Sequence, residues 1–138
     1  MTDGFQVSSD RDRIDPDAAW DFLSQHVYWG RWRSRADFDR QLETAWRLVG
    51  VFRDSGQMVG FARAVSDDVS FAYLADVFVL PECRRLGLGR ALVAEMVEHG
   101  PGRDFRWVLH TADMQPLYAQ FGFAAPDTGV MERRSRLG

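Results

Sequence analysis

Hydrophobic positions recur with two different periods along the chain, and the change of period separates a helical part from a strand-rich part. Apolar residues recur at three- and four-residue spacing after Asp15-Pro16 and again after Ser34. This spacing predicts two helices that begin at these capping residues. Residues 48–80 instead contain β-branched and aromatic runs separated by turn-forming residues, which predicts consecutive antiparallel strands. The predicted strands of this meander are 48–53, 58–65 and 71–80.

The second half of the chain predicts a strand–helix–strand unit. Apolar side chains recur at helical spacing over 88–97, and a Gly-Pro-Gly sequence at 100–102 ends this helix before an apolar run at 105–110. Such a connection implies parallel pairing through a right-handed crossover, so the sheet is expected to be mixed. The remaining predicted elements are edge strands at 5–8 and 130–136 and a short helix that Asp113 caps and Gly122 ends. The pattern as a whole predicts one α/β domain over 1–138, with a mixed central sheet of about six to seven strands flanked by about four helices.

A segment suited to an anion lies between the third predicted strand of the meander and the central helix. Its glycines, Gly87 and Gly89, leave the backbone bare where the helix begins. The positive side chains around them are Arg84, Arg85 and Arg90. Because a helix N-terminus presents unpaired N–H groups and a positive partial charge, the segment predicts a phosphate-binding site. A P-loop is excluded because the chain has no lysine, and a dinucleotide fingerprint fits poorly because Leu92 stands where a small residue is required.

The third phosphate-binding template is a family motif. The loop contains Arg84-x-x-Gly87-x-Gly89 and follows a strand that ends with Val79-x-Pro81. This combination resembles the acetyl-CoA pyrophosphate loop of the GNAT acetyltransferase superfamily.

A second motif further along the chain resembles the same superfamily. The segment Leu117-Tyr118-x-x-x-Gly122-Phe123 is similar to one in which the tyrosine reaches the sulfur of CoA. Its order and separation from the loop agree with the family. The resemblance implies the GNAT acetyltransferase fold, with acetyl-CoA as co-substrate. It also implies direct transfer of the acetyl group, in a ternary complex, to a primary amine of a small molecule, an amino acid or a peptide terminus.

The resemblance also implies roles for individual residues. Tyr118 would protonate the departing thiolate, because a phenol of pKa about 10 gives its proton to a thiol group of pKa about 8.5 at a cost of only about 2 kcal/mol. Backbone N–H groups around 77–79 would donate to the thioester oxygen. The residues implied to bind the cofactor are Val77, Phe78, Val79, Arg84, Arg85, Leu86, Gly87, Leu88, Gly89 and Arg90.

Asp76 is the candidate general base. An attacking alkylamine of pKa about 10.4 must first lose a proton, at a cost of about 4.6 kcal/mol at pH 7. Asp76 lies within an apolar strand, where an unpaired carboxylate is costly and invites a functional explanation. The alternatives are that it pairs with an arginine or caps a loop, and that a water relayed from another acid serves as the base. Strand alternation puts its side chain on the opposite face from Val77 and Val79 unless a bulge intervenes.

An aromatic segment lies where the superfamily closes over the acceptor. Tyr28, Trp29 and Trp32 are candidate substrate-binding residues because aromatic faces attract cations such as a protonated amine. Packing between the two predicted N-terminal helices is the alternative.

Composition limits the remaining possibilities. The formal net charge of −3 gives no sign of a nucleic-acid partner. Cys83 is the only cysteine, and the histidines show no metal-ligand spacing, so neither an internal disulfide nor a metal site is expected. The chain shows no signal peptide and no apolar run long enough to cross a bilayer, which predicts a cytoplasmic protein without a membrane partner. A homodimer is a possibility that the sequence leaves open.

Two rival functions stay open at the level of sequence. One is a non-catalytic acyl-CoA binding or sensing module with the same fold. The other treats the arginine- and tryptophan-rich segment at 28–33 as an RNA-contacting patch, which would bind RNA in a salt-dependent way.

Overall fold

The computed structural model describes residues 4–26 and 33–136, and these contain a five-stranded mixed sheet whose strands lie in chain order from one edge to the other. The strands are β1 (Phe5–Ser8), β2 (Arg47–Arg53), β3 (Met58–Ser66), β4 (Phe71–Val79) and β5 (Arg106–Val108). Neighbours from β1 to β4 pair antiparallel, and β5 pairs parallel with β4. The predicted antiparallel meander and parallel crossover are therefore confirmed.

Four α-helices accompany the sheet within the described ranges: α1 (Pro16–His26), α2 (Arg35–Thr44), α3 (Leu88–Val93) and α4 (Gln115–Ala119). The first two of these helices begin at the predicted capping residues. The Asp15 carboxylate accepts hydrogen bonds from two N–H groups of the first turn of α1, each at 3.1 Å. Ser34 accepts from the Asp37 N–H at 3.1 Å and completes a capping box at α2. Helix α3 continues as a π-helical turn, Ala94–Glu98, so the predicted central helix has its expected extent.

The sheet is covered on both faces, and each face has its own apolar core. Helices α1 and α2 pack on one face, here called the acceptor face, where Phe22 stacks on Phe78 with ring centroids 4.3 Å apart. Helices α3 and α4 pack on the other, here called the cofactor face. The buried side chains of the cofactor face include Val49, Leu74, Leu88, Leu92, Met96 and Tyr118. Side chains of β4 can therefore reach either helical layer, depending on the direction in which they point.

Within the described residues, the structure differs from three predictions made from the sequence. The sheet has five strands rather than six to seven, because 130–136 form no strand there. Val130 and Met131 are 44% and 94% exposed, so this segment does not bury its large apolar side chains against the sheet. The last central strand is shorter than the predicted 105–110. Asp113 does not cap α4, because Met114 occupies the N-cap position and its N–H donates to Thr111 Oγ1 at 3.0 Å.

A bulge and a gap in β4 position the candidate site. Phe61 pairs with Phe78 and Arg63 pairs with Ala75, so two residues of β4 lie opposite Ala62 alone. Within this bulge Asp76 adopts a left-handed backbone conformation with φ +57°. Pairing between β4 and β5 covers only Phe71–Tyr73 and Arg106–Val108. The two parallel strands therefore separate beyond Tyr73, and a gap opens beside the second half of β4.

Candidate active site

The turn from Arg84 to Gly89 leaves backbone N–H groups at the start of α3 without a capping partner. Arg85 and Gly87 both have positive φ, 66° and 78°, which is the kind of backbone that turns successive N–H groups toward one side. The first hydrogen bond into the helix runs from the Ala91 N–H to the Gly87 carbonyl at 3.1 Å. The N–H groups of residues 88–90 precede that bond and have no partner within the helix. Gly87 is the N-cap residue and has no side chain to cap them.

Two arginines connect this turn to the elements around it. Arg84 donates from Nε to the Val79 carbonyl at 3.1 Å, which ties the turn to the end of β4. Arg90 donates from Nε to Gln120 Oε1 at 2.9 Å, which ties α3 to the segment after α4. Both side chains, and that of Arg85, are exposed. Three cations therefore surround the bare helix start while their guanidinium groups remain in contact with solvent.

Gly89 lies where three elements converge. A Cβ built on it would be 3.7 Å from Leu117 Cδ2 and 4.0 Å from Val79 Cγ2. The start of α3, the end of β4 and the start of α4 are therefore neighbours. The two motifs that resemble one family, although separated in sequence, meet at one place in the structure.

The end of β4 presents backbone groups to the gap. Leu80 donates its N–H to the Val59 carbonyl of β3 at 2.8 Å. Because N–H groups alternate in direction along a strand, the N–H of Val79 points away from β3 and toward the gap that β5 leaves. The side chain of Phe78 is buried on the acceptor face, whereas Val77 and Val79 pack on the cofactor face.

Tyr118 is buried on the cofactor face, where its ring contacts Phe123 edge-on at a centroid distance of 5.8 Å. Burial raises the pKa of Tyr118 to about 12, and the nearby carboxylate of Asp113 adds to the shift. The hydroxyl makes no hydrogen bond to any other described residue. Tyr118 is therefore fully protonated at neutral pH and keeps its O–H available to a ligand.

Asp76 is held by two arginines. Its carboxylate accepts from Arg33 Nη1 at 2.9 Å and Nη2 at 3.3 Å, and from Arg63 Nε at 2.8 Å. The side chain is only 3% exposed and lies on the opposite face from Val77 and Val79, as strand alternation predicts. The alternative of a carboxylate paired with arginine is thus what the structure contains, and a role as general base stays a prediction.

Other residues relevant to the site fall into two groups. Tyr28, Trp29 and Trp32, the predicted acceptor-binding residues, lie outside the described residues. Conversely, no sequence pattern connects Tyr73 with His110 and Glu132. His110 is hydrogen bonded to the Tyr73 hydroxyl through Nδ1, and its Nε2 lies 2.7 Å from Glu132 Oε2. Only the three-dimensional fold brings them together, since Tyr73 and His110 are 37 positions apart and Glu132 follows a segment with no helix or strand.

Within 4–26 and 33–136, no three His, Cys, Asp or Glu side chains converge in a way that could hold a metal ion. None of the helices in those ranges is long and apolar enough to cross a membrane.

The bulged β4, its separation from a parallel β5 and the bare helix start at its end define the acetyltransferase class that the two motifs resemble. The model of the acetyltransferase (GNAT) family matches residues 15–123. The chain therefore belongs to the GNAT family of acetyltransferases.

Individual relatives agree with this assignment. Serotonin N-acetyltransferase 2, chloroplastic, of Oryza sativa subsp. japonica is 35% identical over 99 residues, which cover 68% of this chain and 50% of the relative. A solved structure of a Xanthomonas campestris pv. campestris protein assigned to the GNAT family is 38% identical, with a TM-score of 0.86 and coverage of 95% of this chain and 93% of that one. A Clostridium acetobutylicum structure that contains acetyl-CoA is 13% identical with a TM-score of 0.65 over 94% of each chain, and it shows the fold alone. These curated relatives are longer proteins, and the chain spans 58%, 50% and 30% of the lengths of three of them.

Proposed function

We propose that this chain transfers an acetyl group from acetyl-CoA to a primary amine by direct attack in a ternary complex. The observation that carries the proposal is the uncapped start of α3, which lies among three arginines beside the gap between β4 and β5. Acetyl-CoA supplies the activated acyl group as a thioester. The acceptor would be a small molecule, an amino acid or a peptide terminus.

The residues at the helix start fit a diphosphate. The N–H groups of residues 88–90 can donate to phosphate oxygens without breaking any bond of the helix. Open space above Gly87, where an added Cβ would meet nothing within 4 Å, lets an anion approach the backbone closely. The exposed guanidinium groups of Arg84, Arg85 and Arg90 add charge, and Leu86 completes the turn.

Acetyl transfer develops negative charge first on the thioester oxygen and then on the departing thiolate. Backbone and side-chain groups at the gap can stabilise both. The backbone N–H groups of 77–79 that face the gap can donate to the thioester oxygen as negative charge develops there. Tyr118 can give its proton to the departing thiolate. With the pKa of Tyr118 at about 12 and that of a thiol at about 8.5, complete transfer is uphill by about 5 kcal/mol. We therefore expect the phenol to act by hydrogen bonding to the sulfur and by sharing its proton.

Two measurements test the proposal. Calorimetric titration of the purified protein with CoA should show binding, and thiol release from acetyl-CoA should depend on an added amine. Tyr118→Phe removes the hydroxyl but keeps the buried ring, so it should bind CoA normally and release thiol more slowly, on the order of 10²-fold. Absence of any heat on CoA titration would refute the proposal.

A non-catalytic acyl-CoA sensor is the second candidate function. The observation in its favour is the raised pKa of Tyr118, because a phenol that holds its proton this strongly is a weaker acid. CoA binding without turnover on any amine of a broad panel would support the sensor over the enzyme.

A further inference from the structure

Three polar side chains without an assigned role lie together where β4 and β5 begin to separate. Tyr73 is the last β4 residue that pairs with β5, opposite Val108, and His110 lies just beyond that pair. The Tyr73 hydroxyl is hydrogen bonded to His110 Nδ1, and His110 Nε2 lies 2.7 Å from Glu132 Oε2. Together they form a phenol–imidazole–carboxylate chain that crosses the two strands at the base of the gap.

For a neutral His110 ring, one arrangement of protons satisfies both contacts of this chain. An ionised carboxylate only accepts hydrogen bonds, so the contact with Glu132 requires a proton on His110 Nε2. In the neutral ring Nδ1 is then unprotonated and accepts the hydrogen bond from the Tyr73 hydroxyl. Burial raises the pKa of Tyr73, the Glu132 carboxylate and Asp76 add to the shift, and Arg63 opposes it. Tyr73 therefore keeps the proton that this hydrogen bond needs.

Tyr73 lies on the side of the sheet opposite the cofactor loop. Its neighbour Leu74 packs on the cofactor face, and alternate side chains of a strand point to opposite faces. Tyr73 therefore points to the acceptor face, where Arg63 and Asp76 act on its pKa. An amine that enters the gap from the acceptor face would meet Tyr73 on the side away from Tyr118.

On the basis of the proposed acetyl transfer, we propose that Tyr73, His110 and Glu132 form the proton relay that deprotonates the acceptor amine. The hydroxyl oxygen of Tyr73 takes a proton from the ammonium group while the O–H proton of Tyr73 passes to His110 Nδ1. The products are a free amine, an unchanged phenol and an imidazolium stabilised by the Glu132 carboxylate. One proton has moved from the amine to the imidazole, and no electrons have been transferred.

The test is an amine series with His110→Gln and Tyr73→Phe. At pH 7, kcat/KM would be measured for primary amines whose pKa values run from about 6 to about 10.4. An amine of low pKa is already neutral and needs no relay. We therefore expect a loss of about 100-fold for strongly basic alkylamines and of less than about 3-fold for weakly basic amines. His99→Gln is the matched control, because His99 is exposed at the end of the π-helical turn and should leave every amine unaffected.

The outcomes separate the relay from the acetyl transfer itself. Wild-type protein that acetylates no amine would refute both. Wild-type activity with an equal loss for all amines, or with no loss, would overturn the relay alone, because a purely structural role lowers every rate by one factor. A second measurement needs no activity: nitrogen NMR should show the neutral His110 ring protonated at Nε2. A ring protonated at Nδ1 would also overturn the relay.

Discussion

Arg33 and Asp76 lie 43 positions apart in the chain, yet their side chains form a two-pronged ion pair with N–O distances of 2.9 and 3.3 Å. This pair joins the segment before α2 to the bulge in β4. Arg63 adds a second cation to the same carboxylate at 2.8 Å. Since the side chains of Arg33, Arg63 and Asp76 are 12%, 11% and 3% exposed, one buried anion holds two nearly buried cations beside the gap.

Asp76→Asn should destabilise the protein strongly. The amide keeps the shape of the side chain but removes the negative charge, and this leaves two guanidinium groups in a poorly solvated place without their counter-ion. Breaking a buried ion pair from one side costs about 3–5 kcal/mol. Chemical denaturation should show the loss as a lower free energy of unfolding.

Asp68→Asn is the matched control for Asp76→Asn. Asp68 also has positive φ, 64°, but it is exposed, and its Oδ1 accepts from Trp46 Nε1 at 2.9 Å. Asparagine tolerates this left-handed backbone conformation as well as aspartate does, and its side-chain oxygen can still accept that hydrogen bond. We expect a change within about 0.5 kcal/mol. Equal losses for the two variants would contradict the importance assigned to the buried charge.

Gly89→Ala should weaken CoA binding without weakening the fold. The added methyl would make only ordinary contacts, the nearest at 3.7 Å, and alanine favours a helix over glycine by up to about 1 kcal/mol. The same methyl would stand beside the backbone that is proposed to approach the pyrophosphate. We expect calorimetry to show CoA affinity lower on the order of tenfold, or about 1.4 kcal/mol, with an unchanged or higher Tm.

Gly56→Ala is a control for which we expect the opposite result, a change in stability without a change in CoA affinity. Gly56 has φ +97° in the turn between β2 and β3, where an added Cβ would meet nothing within 4 Å. Alanine is strained in that conformation, so the Tm should fall while CoA affinity stays the same. Unchanged CoA affinity in Gly89→Ala would contradict the proposed position of the pyrophosphate.

Local sequence patterns predicted the parts of this fold that local physics determines. Asp15 and Ser34 cap their helices because capping depends on residues within one turn, and the strand–helix–strand unit follows from hydrophobic period alone. The partners of Asp76 could not be predicted, because Arg33 and Arg63 reach it through tertiary packing. The contact between His110 and Glu132 is of the same kind. The expected strand at 130–136 is wrong because its apolar residues find no surface to cover.

Tyr118 should make stability depend on pH in the alkaline range. Its pKa is raised from about 10 in the unfolded chain to about 12 in the folded one. Between these values the unfolded state has lost the proton that the folded state keeps, so stability falls as pH rises. The contribution is complete below pH 10 and, at about 3 kcal/mol, is lost as pH rises through about 12.

Comparison of wild type with Tyr118→Phe isolates this contribution, since phenylalanine has no proton to lose. The free energy of unfolding of both proteins would be measured from pH 8 to pH 11. The stability of wild type relative to the variant should fall above pH 10. A constant difference across this range would show that the burial of Tyr118 does not bias its ionisation.

Arg47 stabilises the π-helical turn that ends the central helix. Its Nη1 donates to the carbonyls of Glu95 and Met96 at 2.6 and 3.1 Å, and Nη2 pairs with the Glu95 carboxylate at 2.8 Å. A π-helical turn has a different hydrogen-bonding pattern from an α-helix, which leaves some carbonyls without a partner in the helix. The guanidinium of Arg47, which comes from β2, donates hydrogen bonds to two of the carbonyls of this turn. Gly100 makes room for the guanidinium, because a Cβ there would lie 2.1 Å from Arg47 Nη1.

Gly100→Ala should therefore destabilise the protein through Arg47. The methyl group would displace the guanidinium from two carbonyls and a carboxylate, at a cost of about 1–3 kcal/mol. Arg47→Ala should cost a similar amount, and adding Gly100→Ala to it should cost little more, because the clash has been removed together with the side chain. Chemical denaturation of the two single variants and the double variant measures this coupling, expected between about 0.5 and 3 kcal/mol. Strictly additive losses would mean that Gly100 is needed for its own backbone and not for the space it leaves to Arg47.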